Sequence, residues 1–392
     1  MARTETDRCP GVLAVHQAAD GGLARVRLPG GWLSAEQLEV LRVAAAEVGD
    51  GRLELTSRAN VQIRGLDARG PRELSDRLFA AGLLPSIAHE RVRNILASPL
   101  SGLDEGSRYD VLPVALTLDR ALCGRPGLAE LPGRFLFALD DGRGDLADVQ
   151  ADVAVRALDD RSAVLTLGGR GARVPWAEVP ELMLAAAEAF LSVRDQEWRI
   201  AEVADAEQRI LERLGLTADE ALDPSTTRVT AGVHGTALVV TVPLGSLTQA
   251  QAAALVGAAG GVRVTPWRSV VVSATATGLE DVGLITTPDS VWEGVTACAG
   301  KPGCAKALAD VRADATRTLT AQAAGTAQAA GTAQAVGAVG GGGAGLLPGV
   351  AGGWRGRRVH WAGCGRRCGK PSGGFVDVVA VGDGYLVDGE RV

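Results

Sequence analysis

A chain of 392 residues is longer than one hydrophobic core usually organises, so two or more structural units are expected. With 46% hydrophobic and 22% charged residues it can fill packed cores, and a net charge of −6 gives no overall pull toward phosphate, which argues against a nucleic-acid partner. No stretch reaches the roughly 18 apolar residues of a membrane span, and the first twenty residues lack the apolar centre of a signal peptide, so a cytoplasmic protein with reduced thiols is expected.

In chain order, Ser34 followed by Gln37 is a capping-box pattern ahead of an apolar-periodic helix. The alternation of Leu53, Leu55, Val61 and Ile63 then predicts strand. An extended chain would put Arg58, Asn60, Gln62 and Arg64 on one polar face, although a solvated edge strand would show the same pattern. Beyond residue 91 the sequence predicts a helix from about Val114, strands over 134–141 and 163–169, and a long helical segment over 180–215.

Residues 238–273 repeat the earlier grammar. Pro29-x-Gly31-x-Leu33-Ser34 returns as Pro243-x-Gly245-x-Leu247-Thr248, Gln251 stands where Gln37 does, and Val264-Thr265 follows as Leu55-Thr56 does. The matching run is longer than a helix cap alone, so a duplicated strand–helix–strand unit is expected. Near the end, an Ala-Gly-Thr-Ala-Gln repeat over about 320–346 reads as a flexible insertion, and Gly382-Asp383-Gly384 reads as a hairpin turn.

Four of the six cysteines fall in two short loops, Cys298-x5-Cys304 and Cys364-x3-Cys368. Gly300, Pro302, Gly303, Gly363 and Gly365 let the backbone turn closely around an inorganic core, and Lys301, Arg366, Arg367 and Lys370 would moderate its negative charge. Four thiolates suit an iron–sulfur cluster. A zinc site assisted by His360 would draw on the same residues, although zinc pairs are usually spaced more tightly. The stretch after Cys304 reads as a helix whose N-terminal dipole would face the cluster.

This arrangement resembles the nitrite and sulfite reductase superfamily. The resemblance implies an α+β fold, with duplicated ferredoxin-like half-domains alternating with two larger α/β domains: units at 1–90, 91–225, 226–284 and 285–392. It implies that Cys298, Cys304, Cys364 and Cys368 hold a [4Fe–4S] cluster, with Cys368 bridging to a second iron, either sirohaem or a mononuclear non-haem iron that His360 could ligate. The segment from Leu53 to Leu66 resembles the family's L-T-x-R-x-x-x-Q strand, and Arg93-Asn94 its R-N segment. By that likeness Arg58 and Arg93 would face an anionic substrate or macrocycle, with Asn60, Gln62, Arg64 and Asn94 beside them.

Two departures redirect the expected chemistry. Where sulfite reductases carry L-P-x-K-F-K, this chain has Arg134 and Leu136, so one cation is lost. The second half-domain has Trp267-Arg268 where reductases tend to have Asn and Gln, which suits a flat polycarboxylated macrocycle better than a small oxyanion. The likeness is therefore to the shorter branch of the superfamily, whose members use molecular oxygen to hydroxylate a tetrapyrrole, with lactone closure, in aerobic cobalamin synthesis. Arg58, Arg93, Arg134 and Arg268 would hold substrate carboxylates. A reduced nicotinamide or ferredoxin-type protein would donate electrons, and a monomer is expected because each half-domain has a partner copy. A sirohaem-dependent sulfite or nitrite reductase is the alternative.

Overall fold

The computed structural model describes residues 9–218, 220, 227–258, 260–331, 357–371 and 373–391. Among them the fold is α+β, with seven α-helices and four five-stranded sheets. Sheet A runs 16–18, 21–26, 61–66, 53–55, 246–247, and sheet C runs 232–234, 237–241, 269–273, 262–264, 32–33. Both are antiparallel throughout and share one strand order, and each takes its last strand from the other half of the chain. The exchange stitches the halves together.

The repeated helix caps cause this symmetry locally. Ser34 and Thr248 each accept from the backbone N–H three residues on, while Gln37 and Gln251 accept from the capping residue's own N–H. Two orphan donors are satisfied at each end, fixing where the helices Ala35–Val48 and Gln249–Val256 begin. These helices pack against one another over a shared core that includes Leu38, Leu41, Ile63, Leu255 and Val270. Gly31, at φ +72°, lies where the crossing strands meet; a Cβ there would stand 2.2 Å from the Val264 carbonyl oxygen.

Sheets B (170–175, 162–167, 153–157, 137–140, 95–97) and D (295–297, 359–362, 376–381, 384–387, 390–391) repeat each other as well. In each, three parallel strands are followed by two antiparallel ones. The duplication therefore extends beyond the segments whose sequences match. Ser98 N–H donates to the Leu139 carbonyl at 3.0 Å, and two hundred residues later Cys298 N–H donates to the Trp361 carbonyl at 2.9 Å.

Several expected elements differ in detail. The 180–215 segment is two helices, Val179–Val193 and Ala206–Arg213, because Arg199 and the Ile200 N–H are pinned to the buried Asp152 carboxylate between them. After Cys304 the chain turns for six residues, and its helix starts only at Val311. That helix runs to Gly331, into the expected insertion, anchored by Ala315 and Leu319 at full burial; residues 332–346 lie outside the described residues. The hairpin turn falls at Gly382-Asp383, with Val381 paired to Gly384.

Candidate functional site

Arg25 is the penultimate residue of the strand Gly21–Val26 in sheet A and Arg27 follows that strand, two residues apart and hence facing the same way. Arg27 is 2% exposed, and none of its three guanidinium nitrogens has a hydrogen-bond partner among the described residues. Burial pushes it down to about 9, with Arg25 and Arg58 adding repulsion while Cys9 and Glu90 partly offset it. Arg58 is pushed down to about 10, again chiefly by burial, and lies close to Cys9, Arg199, Arg25 and Asp152. Arg27 and Arg58 both stay charged at neutral pH, so the fold concentrates like charge where an anion would relieve it.

The surroundings fix that cluster. Residues 56–60 form a turn with Ala59 at φ 52°, not a continuous strand as the alternation predicted, and Thr56 Oγ1 accepts from the N–H groups of Arg58 and Asn60. Asn60 turns inward and accepts from Leu28 N–H at 2.9 Å. Arg58 and the Asn94 amide both donate to the Gly133 carbonyl, at 3.4 and 2.9 Å. Glu90 accepts from the N–H groups of Val12, Leu13 and Ala14, holding the chain beside Cys9 against this face.

A polar row crosses sheet A from the arginines to the cysteine loops. Arg25 donates to Gln62 Oε1, Gln62 donates to Glu54, and Glu54 pairs with Arg312 at 2.6 Å. The row exists because Arg25, Gln62 and Glu54 stand opposite one another on neighbouring strands. Arg312 in turn donates to the Cys298 carbonyl. Arg64 is held bidentately by Asp20 and donates to the Gly303 carbonyl at 2.7 Å, while Arg268 donates to the Gly369 carbonyl at 2.6 Å. Burial lowers Arg268 to about 10, with repulsion from Arg312 contributing.

The four cysteines converge. Cys298 follows strand 295–297 and its sulfur accepts from Gly363 N–H at 3.1 Å. Burial raises the Cys368 thiol, and Cys298, Cys364 and Cys304 are near enough to raise it further, against Arg366. Gly300 is at φ +66° with Val311 against it, and a Cβ on Gly363 would stand 2.8 Å from Ala307 Cβ, so the loops close tightly. No three of the sulfurs lie within 4.8 Å of one another. Four thiolates on one zinc, at ~2.3 Å bonds, would be about 3.8 Å apart. The donor set is thus soft, all sulfur, and more widely spaced than a single-zinc site.

The structure does not bring every expected residue to this place. Arg93 is buried and forked onto Asp119 at 2.7 and 2.8 Å, with its third nitrogen on the Leu83 carbonyl, so its donors are committed to the core. Arg134 is exposed, its guanidinium carbon 4.8 Å from the Trp198 ring centroid, and Leu136 is buried. Trp267 packs against the cluster of Leu100, Val229, Ala237, Val239 and Val271, while Arg268, at φ 62°, reaches the Gly369 carbonyl. His360 is fully buried with Nδ1 on Thr296 Oγ1 at 2.9 Å; its Nε2 has no hydrogen-bond partner among the described residues. Burial lowers it to about 3, with Arg268 adding repulsion, so it is neutral. Arg25, Arg27 and Arg199 were missed, although the alternation in "RVR" signalled the first two.

Comparison with known proteins accords with this geometry. Residues 16–78 match the nitrite/sulfite reductase ferredoxin-like half domain. The chain is 26% identical to a precorrin-3B synthase of Sinorhizobium sp over 98% of its own length and 83% of that protein. It is 25% identical to a ferredoxin sulfite reductase of Mycobacterium tuberculosis over 74% of this chain and 61% of that one. A ferredoxin–nitrite reductase of Synechococcus elongatus is 34% identical over 31% of this chain and 25% of its own. The solved NirA protein of Mycobacterium tuberculosis shares the fold, with a TM-score of 0.70 at 22% identity over 93% of this chain and 74% of that one. The chain is thus a homologue of precorrin-3B synthase over nearly its whole length, with a nitrite/sulfite reductase ferredoxin-like half domain at residues 16–78.

Proposed function

We propose that this oxidoreductase hydroxylates a carboxylate-rich tetrapyrrole of the precorrin-3A type, closing a lactone, with molecular oxygen as co-substrate. The observation that carries the reading is Arg27, a buried guanidinium whose nitrogens have no hydrogen-bond partner among the described residues. Such a group is tolerated where an anionic ligand supplies the missing acceptors. Arg25 and Arg58 beside it provide for more than one carboxylate. Leu136, buried where related reductases carry a lysine, withholds the cation that a small oxyanion would use.

In this reading Cys298, Cys304, Cys364 and Cys368 hold a [4Fe–4S] cluster, and the four units implied by the duplication meet around it. When bound, the cluster and a neighbouring iron, as sirohaem or non-haem iron, would supply electron transfer and oxygen chemistry. The chain's own part is placement. Arg25, Arg27 and Arg58 orient the substrate by its carboxylates, and the row Arg25–Gln62–Glu54–Arg312 fixes that surface relative to the cysteine loops. The ferredoxin in the names of the Synechococcus and Mycobacterium relatives supports a ferredoxin-type electron donor.

The test uses anaerobically reconstituted full-length protein. Iron and acid-labile sulfide near four each per chain, and oxygen uptake on adding precorrin-3A and reductant, are expected. Oxidation of a reduced dye by sulfite or nitrite without oxygen uptake would overturn the tetrapyrrole reading in favour of a reductase; zinc without sulfide would overturn both.

A further inference from the structure

The duplication gives the first half of the chain its own counterpart of the cysteine site, and that counterpart is built from oxygen donors. Asp141 N–H donates to Ser98 Oγ at 3.0 Å, as Gly363 N–H donates to Cys298 Sγ at 3.1 Å. Arg108 N–H meets the Asp141 carbonyl at 2.8 Å as Leu308 N–H meets the Gly363 carbonyl at 2.7 Å. In the loop matching "CGRRC" stands "DDGRGD", residues 140–145. Asp140, Asp141 and Asp145 are all buried, each with a carboxylate oxygen within 4.8 Å of the others.

The neighbouring ion pairs do not include Asp145. Asp141 and Asp104 share Arg143, each at 2.7 Å, and Asp140 meets Arg156 at 3.4 Å. Ion pairs therefore join these carboxylates to two guanidiniums, and none of those pairs is to Asp145. Arg263, a further cation near Asp141, spends its Nη1 on the Pro99 and Ser101 carbonyls, and the exposed Arg108 side chain lies against Gly142. Asp140 also accepts from the Gly142, Gly144 and Leu146 N–H groups. Asp145 differs. Its Oδ1 accepts from Ser98 Oγ at 2.6 Å, but its Oδ2, in a residue 2% exposed, has no hydrogen-bond partner among the described residues. A buried carboxylate oxygen without a donor, facing two other carboxylates, is the environment a cation relieves.

We propose that Asp140, Asp141 and Asp145 bind one hard divalent cation, Ca2+ or Mg2+, at the position pseudo-symmetric to the cysteine loops. All-oxygen donors select such ions over soft metals. A cavity of about 220 Å³, lined in part by Asp140, Arg156, Thr166 and Glu220, gives room for water and entry beside the site. The ion locks loop 140–146 against Ser98, at the end of the strand 137–140. The proposal does not depend on which substrate the enzyme takes.

The experiment measures calcium and magnesium in full-length, cluster-loaded protein by mass spectrometry after exchange into metal-free buffer. It then follows Tb3+ luminescence and thermal unfolding with EGTA or EDTA, and with Ca2+ or Mg2+ restored. About one ion per chain, a lower unfolding temperature on chelation that the ion reverses, and at least about tenfold weaker Tb3+ binding in Asp145→Asn are expected. Iron and sulfide content should not change, which separates this outcome from failure of the cluster reading. Should Asp145→Asn fail to fold, wild-type stoichiometry and the chelation response decide. Wild-type protein without stoichiometric Ca2+ or Mg2+ and with no thermal response to either would overturn the proposal and leave Asp145 as a protonated acid.

Discussion

Replacing Arg27 with methionine separates ligand binding from folding. Methionine keeps most of the aliphatic volume, so the cavity term is small, about 1 kcal/mol. In the ligand-free protein the variant removes a charge that burial has pushed from an ordinary 12.5 down to about 9, a cost on the order of 5 kcal/mol at about 1.4 kcal/mol per tenfold. Water reaching the ligand-free pocket recovers part of that cost, so a net gain of about 1–3 kcal/mol in urea unfolding is expected. The folded group binds its proton less tightly than the unfolded one, so the penalty is fully present below about pH 9 and is relieved only at higher pH. The gap between variant and wild type should therefore be constant from pH 6 to 8. Binding moves the other way. Losing two charge-assisted hydrogen bonds, at about 1.5–3 kcal/mol each, weakens affinity roughly 10²–10⁴-fold. Uroporphyrin, an eight-carboxylate tetrapyrrole, serves as an absorbance probe. A variant that unfolds more readily than wild type by more than about 2 kcal/mol, with unchanged uroporphyrin affinity, would make Arg27 a core residue and remove the basis of the pocket.

Three further perturbations address other parts of the argument. Cys364→Ser removes one of four sulfur donors and is expected to cut iron and sulfide by more than about half under reconstitution, measured by colorimetric iron and sulfide assays, while Cys123→Ser, in the helix Leu112–Cys123 and packed on a different core from Cys298, leaves both unchanged. Gly31→Ala combines positive φ with a Cβ 2.2 Å from a backbone oxygen and should cost about 3 kcal/mol or more. Gly51→Ala, also at positive φ but with nothing within 4 Å, should cost only ~1 kcal/mol by the same denaturant titration. Arg93→Met leaves Asp119 charged and largely buried, for a loss of about 3–5 kcal/mol. Much of that should return in the Arg93→Met/Asp119→Leu double variant, with pocket affinity unaffected; reduced uroporphyrin binding in the double variant would return Arg93 to the site.

The cysteine loops were legible because their chemistry is local: two sulfur pairs with glycine around them have few structural uses. The helix caps were legible for the same reason, since a capping box is completed within four residues. The pocket was harder to read. Arg58 and Arg93 look alike in sequence, and only the fold decides that Asp119 takes one while the other stays near the arginine cluster. Asn60 and Gln62 share a period-two pattern, yet a residue at positive φ between 58 and 60 breaks it and turns Asn60 inward. Trp267 and Arg268 were read as one unit for a comparable reason, although Pro266 signals the Thr265–Arg268 turn that contains both.

The two halves also explain why only one of them carries an arginine face. In sheet A the cross-strand row is Arg25, Gln62 and Glu54; at the corresponding places in sheet C stand Val239, Val271 and Arg263. Leu100, Leu103 and Trp267 close over that second row. Apolar packing there offsets the entropy of folding without any ligand. On sheet A the same positions hold a charged row paired through to Arg312, and beside it Arg27 is a buried guanidinium with no hydrogen-bond partner among the described residues, which weakens the ligand-free fold. A duplicated scaffold tolerates this because the other copy, packed shut and sharing an exchanged strand, holds the frame. Moving Arg25 and Arg27 to valine should then make the first half resemble the second in stability, at the expense of binding. It would not open a site in the second half, where the space is already filled.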